Sequence, residues 1–259
     1  MFSWKNKKFF LSLVLLLFPL SSFSYDFKGE APMIYVPHLV FGMGGAYLFT
    51  NDAGESQTFP ITNIATDEKY SYKIDESYQS GWALNGFIGR EWHLDQDFYL
   101  QLAVSYYHFG ELQAKGVLTQ GADPGSSSNY DYSYNIRNYQ ILLESKWFYE
   151  RSIFKPYFSF GLGASINKAS GYEVDIPNFV TFSRVYEDKT YTSFSYSVGT
   201  GLDFNVGESI RLGVGYRFSD LGKVTLGNAT IDGAPVKDSL YESHFCINLI
   251  LAQVTFLLL

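Results

Sequence analysis

The sequence predicts an all-β fold, an eight-stranded antiparallel up-and-down barrel, and three observations carry that prediction. Eight segments of about ten residues alternate bulky with small or polar side chains, the period of a strand with one apolar face. Short and long connections alternate between them. Aromatic residues (21 Tyr, 23 Phe, 4 Trp) make up 19% of the 259 residues, while the mean hydropathy of −0.05 is too polar for a bundle of membrane helices.

Residues 1–24 precede the barrel. Lys5, Lys7 and Lys8 come before an apolar run over residues 9–20, and Ser21-Ser22-Phe23-Ser24 offers small residues for cleavage. This predicts a secretory signal peptide cut after Ser24, leaving one barrel domain over 25–259. A membrane anchor needs roughly 20 apolar residues, and this run is shorter and broken by Pro19. Removing its three lysines from 19 Lys and Arg, against 26 Asp and Glu, takes the exported chain to −10. So acidic a protein lacks the clustered cations that displace counterions from phosphates, which argues against a nucleic-acid partner. One cysteine, Cys246, allows no internal disulfide, and its neighbours Phe245 and Ile247 supply no cation to activate it.

The segments follow in order. Over 39–49, Leu39, Phe41, Met43, Tyr47 and Phe49 share a face; over 82–92, Trp82, Leu84, Ile88 and Trp92 do. Residues 98–107 set Phe98, Leu100, Leu102, Val104 and Tyr106 against Gln101, Ala103 and Ser105. Over 137–149 the shared face holds Tyr139, Ile141, Leu143, Trp147 and Tyr149, and over 157–166 Phe158, Phe160, Leu162, Ala164 and Ile166 oppose Ser159, Gly161, Gly163 and Ser165. The cleanest alternation runs over 193–206, from Phe194 to Val206 with serine and glycine between; 210–218 opposes Ile210, Leu212, Val214, Tyr216 and Phe218 to Arg211, Gly213, Gly215 and Arg217. The last, 241–256, has an ambiguous phase. The short connections lie near 94–96, 150–153 and 207–208; the long ones near 50–79, 110–133, 168–191 and 220–239.

Volume decides which face points out. An eight-stranded barrel is only just wide enough to be filled by side chains, and the bulky faces together would overfill it. The glycine and serine face fits, so the bulky face points outward, where lipid receives it. The reading is therefore a transmembrane barrel of the outer membrane with short periplasmic turns and four long extracellular loops. The glycine pairs Gly42/Gly44, Gly161/Gly163, Gly199/Gly201 and Gly213/Gly215 fall on the inward phase and open no helix, so they are not a nucleotide motif. Trp82, Trp92, Trp147, Tyr149, Tyr216 and Phe218 near strand ends suit the bilayer interfaces. Tyr130, Tyr132, Tyr134, Tyr186 and Tyr191 read as strand extensions above the membrane.

At these residues the chain resembles the opacity-type, or OmpA-like, family of small outer-membrane β-barrels. The likeness rests on LLESKWFYERSIFKPYFSFGLGASIN (142–167), SVGTGLDFNVGESIRLGVGYRFSDLGKV (197–224) and GFIGREWHLDQDFYLQLAVSYY (86–107). It implies a Gram-negative outer-membrane protein inserted by the barrel-assembly machinery, with surface loops able to contact host cells. Family members end on a strand with a terminal aromatic; here the end is Val254-Thr255-Phe256-Leu257-Leu258-Leu259, and Phe256 stands in for it.

Function follows from lumen and loops. Glu91, Glu144, Lys146, Asp203, Arg211 and Arg217 point inward, where charges must pair or meet water, which predicts a lumen occluded by salt bridges. The alternative is a narrow, porin-like ion channel. An outer-membrane lipid-modifying enzyme is a further alternative, but His38, His93, His108 and His244 are scattered and no Gly-x-Ser-x-Gly or His-Glu-x-x-His pattern occurs. No catalytic, cofactor or metal residue is assigned; Asp67/Glu68 and Asp75/Glu76 read as solvated charges. The expected protein is a monomer with the lipid bilayer as its environment and a structural or adhesin-like role, a host-cell surface ligand being met by the loops.

Overall fold

Side-chain alternation along the chain becomes a closed wall in three dimensions. The computed structural model describes residues 37–51, 54–60, 69–75, 78–95, 97–121, 127–150, 153–176, 184–231, 234–236 and 238–258; the predicted export signal over 1–24 lies outside them. In chain order the strands are β1 (His38–Thr50), β2 (Gln57–Pro60), β3 (Lys69–Ile74), β4 (Gln79–Asp95), β5 (Phe98–Phe109), β6 (Leu112–Gly121), β7 (Ser128–Tyr149) and β8 (Phe154–Val174). There follow β9 (Arg184–Tyr186), β10 (Lys189–Asn205), β11 (Ile210–Asp220), β12 (Val224–Thr225), β13 (Ala229–Ile231), β14 (Ala234–Val236), β15 (Tyr241–Glu242) and β16 (Cys246–Leu258). β1, β4, β5, β7, β8, β10, β11 and β16 pair antiparallel in that order, and β16 pairs back onto β1 to close a ring of eight. The ambiguous last segment takes one phase: Ile247, Leu249 and Leu251 are buried inside, while Phe256 turns out and stacks on Phe41 at 4.9 Å.

Cross-strand partners give the stagger. The row Trp92, Leu100, Trp147, Phe158, Thr200, Tyr216, Ile250, Tyr47 returns to β4 at Trp82, ten residues from its start. At about 3.3 Å per residue and about 4.8 Å between strands, that shift inclines the strands by about 40° to the axis. Each step round the ring climbs about 3 Å, so Trp82 lies about 25 Å above Trp92.

Between those two levels the outward phase is mostly apolar, with Arg90, Ser145 and Thr200 as polar members. Met43, Leu84, Ile88, Phe158, Leu162, Val214 and Ile250 are exposed, whereas Ser105, Ser159, Ser195, Ser197 and the lumen charges Glu91, Lys146, Asp203, Arg211 and Arg217 are buried, Glu144 partly so. An apolar band of about 25 Å around a closed barrel matches a hydrocarbon layer, and full closure leaves no backbone edge to meet lipid. A closed barrel of this kind is the outer-membrane type, and the protein is an outer-membrane barrel. Small inward residues make room for large ones: a Cβ at Gly201 would fall 2.6 Å from the Tyr157 ring.

The connections β4–β5, β7–β8 and β10–β11 lie at one end with the start of β1 and the end of β16, the periplasmic end. At the other end the described parts of the long connections carry further strands, where sequence suggested loops. β6 carries β5 upward past Gly110, β3 lies against β6, β2 against β3, and β7 stays paired with β8 as far as Tyr132 and Val174. β9, β13 and β14 form a separate three-stranded sheet, and β12 pairs with β15. Beyond Asp220, Gly222 takes φ +67°, a left-handed turn that suits glycine, and the chain folds inward. The carbonyl of Leu221 accepts from Ser165 and, at 2.8 Å, from Asn167; that of Lys223 accepts from Asn167 at 2.8 Å and Ser193 at 3.0 Å. Leu221, Val224, Leu226 and Phe245 thereby join Leu48, Leu118, Ile136 and several tyrosines in an apolar core at the barrel mouth.

Candidate functional site

The inward phase brings the six charges predicted from sequence together as three pairs. Arg211 on β11 donates both terminal nitrogens to Glu91 on β4, at 2.7 and 2.8 Å. Lys146 on β7 donates to both oxygens of Asp203 on β10, at 3.1 and 2.9 Å, and lies 3.7 Å from the centroid of the Tyr157 ring. Arg217 on β11 donates to Glu144 on β7 at 3.0 Å and to the Tyr107 hydroxyl at 2.6 Å. Bidentate and multiply bonded geometry offsets part of the cost of taking these ions out of water. A cavity of about 10 Å³ remains among Tyr107, Glu144, Lys146, Tyr157 and Arg217, room for about one water.

Sequence reasoning missed a fourth pair. Lys155, buried on β8, lies 3.0 Å from Glu150 in the periplasmic turn and 4.1 Å above the Tyr99 ring. The signal was present: Lys155 shares the inward phase of Tyr157 and Ser159, but the segment was begun at residue 157 and so stopped short of it.

The outward aromatics divide by height. Trp92 and Tyr149 stand at the periplasmic margin, Trp82 at the opposite margin and Phe218 just below it, while Trp147 lies about 6 Å inside the band. Tyr216 corrects its predicted place: it lies about 15 Å above Trp92, well within the band, where its hydroxyl meets Asn248 Oδ1 at 2.5 Å. Counting from strand ends ignores the climb from strand to strand, which carries β11 upward relative to β4.

Of the scattered histidines, His108 and His244 are not brought together. His108 points outward from β5, its ring 5.0 Å from Tyr139 and 5.3 Å from Trp82. His244 precedes β16, three strands away, exposed, with Nδ1 3.0 Å from Asp220 Oδ2. Of the acidic pairs, Asp67, Glu68 and Glu76 lie outside the described residues, and Asp75 is exposed.

Above the band stands the strand-built extension. Tyr72, Tyr132, Tyr172 and Tyr186 pack edge and face at 4.9 to 6.2 Å. Burial pushes the Tyr132 phenol up to about 12 and lifts those of Tyr72, Tyr134, Tyr172 and Tyr186. Arg184, fully buried on β9, pairs with Asp238 at 2.8 Å and lies over the rings of Phe59 and Tyr70, at 5.0 and 4.7 Å. One guanidinium thus ties the first, third and fourth long connections together.

No protein-family model matches the chain. Among solved structures it is similar to the outer membrane protein OprG of Pseudomonas aeruginosa (12% identity, 84% of this chain and 95% of that one, TM-score 0.44) and to Neisserial surface protein A (14%, 85% and 96%, TM-score 0.39). A curated relative, the Rickettsia conorii protein named "Putative adhesin RC1281", is 31% identical over 207 residues, spanning 77% of this chain and 75% of its own. That identity over that share of both sequences means that the chain belongs to the family of this Rickettsia conorii protein.

Proposed function

We propose that this protein is a surface-recognition barrel: a monomer exported by residues 1–24, inserted by the barrel-assembly machinery, and binding host-cell surface ligands through its extracellular extension. The observation that carries the reading is that the described parts of the long connections carry strands packed around an apolar core, with Arg184 pinning three of them. A segment needed only to join wall strands has no use for such order; a binding surface does, because rigidity lowers the entropy lost on contact. The relative's name, an adhesin, supports the same reading. The test is adherence to cultured mammalian cells of bacteria displaying either the native chain or one in which residues 57–74 and 112–136 are replaced by short turns. Adherence falls to background with the replacement, while heat-dependent gel mobility still reports a folded barrel; undiminished adherence would overturn the reading.

A closed lumen belongs to this proposal. The three central ion pairs and the in-turned segment beyond Asp220 leave little room for water, which favours a sealed barrel over a channel. Purified protein in planar bilayers gives no steady conductance; sustained single-channel steps would instead favour the ion-channel reading.

A further inference from the structure

A recess of about 850 Å³ lies on the outer face of the extension across β3, β6, β7 and β8. It begins about 15 Å above the apolar band, since Ser133 on its floor is six residues up β7 from Tyr139. Register places its charges in two opposed walls. Lys73 is paired with Val117, which is paired with Asp131, whose carbonyl accepts from the Asp175 backbone N–H at 2.9 Å. One row below, Lys115 is paired with Ser133, and Ser133 with Glu173. Both lysines therefore stand on the β3/β6 side with Asp75, and three carboxylates stand on the β7/β8 side, with the uncharged Val117 and Ser133 between.

These opposite charges do not neutralise one another. No ion pair among the described residues takes up Lys73, Asp75, Lys115, Asp131, Glu173 or Asp175, and all six are exposed. Nearer the membrane the same face does pair its charges, Arg137 with Glu111 and Lys168 with Asp188 at 4.0 Å. Across a space of ligand size the trough faces two lysines, with Asp75 beside them, toward three carboxylates.

We propose that this trough binds an extended peptide segment carrying alternating acidic and basic residues. It rests on the surface-recognition reading and names the site and the ligand class. An extended chain points successive side chains to opposite sides, so a segment lying along the trough offers acids to the lysine wall and bases to the carboxylate wall. A ligand of one sign satisfies one wall and is repelled by the other, which makes the arrangement selective as well as attractive.

The test uses the full-length barrel refolded in detergent and short fluorescent peptides of equal length: alternating Glu-Lys, all Glu, all Lys, and Ser-Thr. The alternating peptide binds at least about tenfold tighter than any other, and K73Q/K115Q and D131N/E173Q/D175N each cost about tenfold, since several exposed pairs are lost together. All five positions are exposed, so heat-dependent gel mobility stays native in both variants. Equal binding of alternating and single-sign peptides, or variants that bind like the native chain, would overturn the assignment. The two readings fail separately. If displayed native barrel does not adhere to cells while the alternating peptide binds this trough, the adhesion reading falls; if cells adhere equally to native and trough variants and peptides show no preference, only the trough falls.

Discussion

The side-chain amide of Gln79 pairs with the backbone of Gln113 as a strand would: Nε2 donates to the carbonyl at 2.5 Å and Oε1 accepts from the N–H at 3.1 Å. It does so where the extra residues between β3 and β4 leave the ladder between Ile74 and Ala83 out of step with β5 and β6. A glutamine here replaces a missing rung at the joint between wall and extension.

Replacing Gln79 by alanine therefore loosens the joint without touching the barrel. Two hydrogen bonds at about 1 kcal/mol each are lost. Limited proteolysis should cut near residues 75–78 several times faster, with the folded-barrel gel mobility unchanged; equal cutting rates would show that the amide bridge carries no load.

Arg211 and Glu91 should behave as a unit. Arg211→Leu leaves the Glu91 carboxylate buried without its partner, at a cost of about 3–5 kcal/mol, whereas Arg211→Leu with Glu91→Leu recovers most of that loss. Urea titration of the folded fraction in lipid vesicles measures both, and an additive double variant would contradict the pairing.

Alkali should act on the extension through its phenols. A Tyr132 phenol raised from 10 to about 12 stays neutral in the folded state where the unfolded chain has already ionised. Its contribution is whole below pH 10 and disappears as pH climbs through about 12. Phenolate absorbance, compared between the native chain and Tyr132→Phe, should differ by one tyrosine in the step near pH 12 and not in the step near pH 10; a difference confined to the lower step would contradict the burial.

The climb around the ring predicts depths. Trp82 and Trp92, singly retained, should respond equally to quenchers at the headgroup level and weakly to quenchers at the bilayer centre, with Trp147 quenched from deeper positions than either. Stronger central quenching of Trp82 than of Trp147 would refute the stagger.

The barrel was legible because its physics is local: one face of every wall strand meets lipid and the other a narrow interior, so alternation reports both the strand and its direction. The paired lumen charges follow from the same phase. Lys155 escaped only because its strand was begun too late. The extension was less legible. β2, β3 and β9 span four, six and three residues, too short for a period to emerge, and Arg184, Phe59 and Asp238 meet only through long-range folding. Tyr216 was misplaced because height depends on stagger, a property of the closed ring that no single segment contains.

The joint between β1 and β16 has a demanding task. Sliding one of them by a single residue would put grease inside and ions outside, an error that solvent would punish at once. A slide of two keeps every side chain on its proper side and still yields a different cylinder, steeper or shallower, wider or narrower, in which Arg211 no longer meets Glu91. Since inside and outside look correct in both, the lumen itself must tell the right closure from the near miss, and its salt bridges are the inspectors of that final seam.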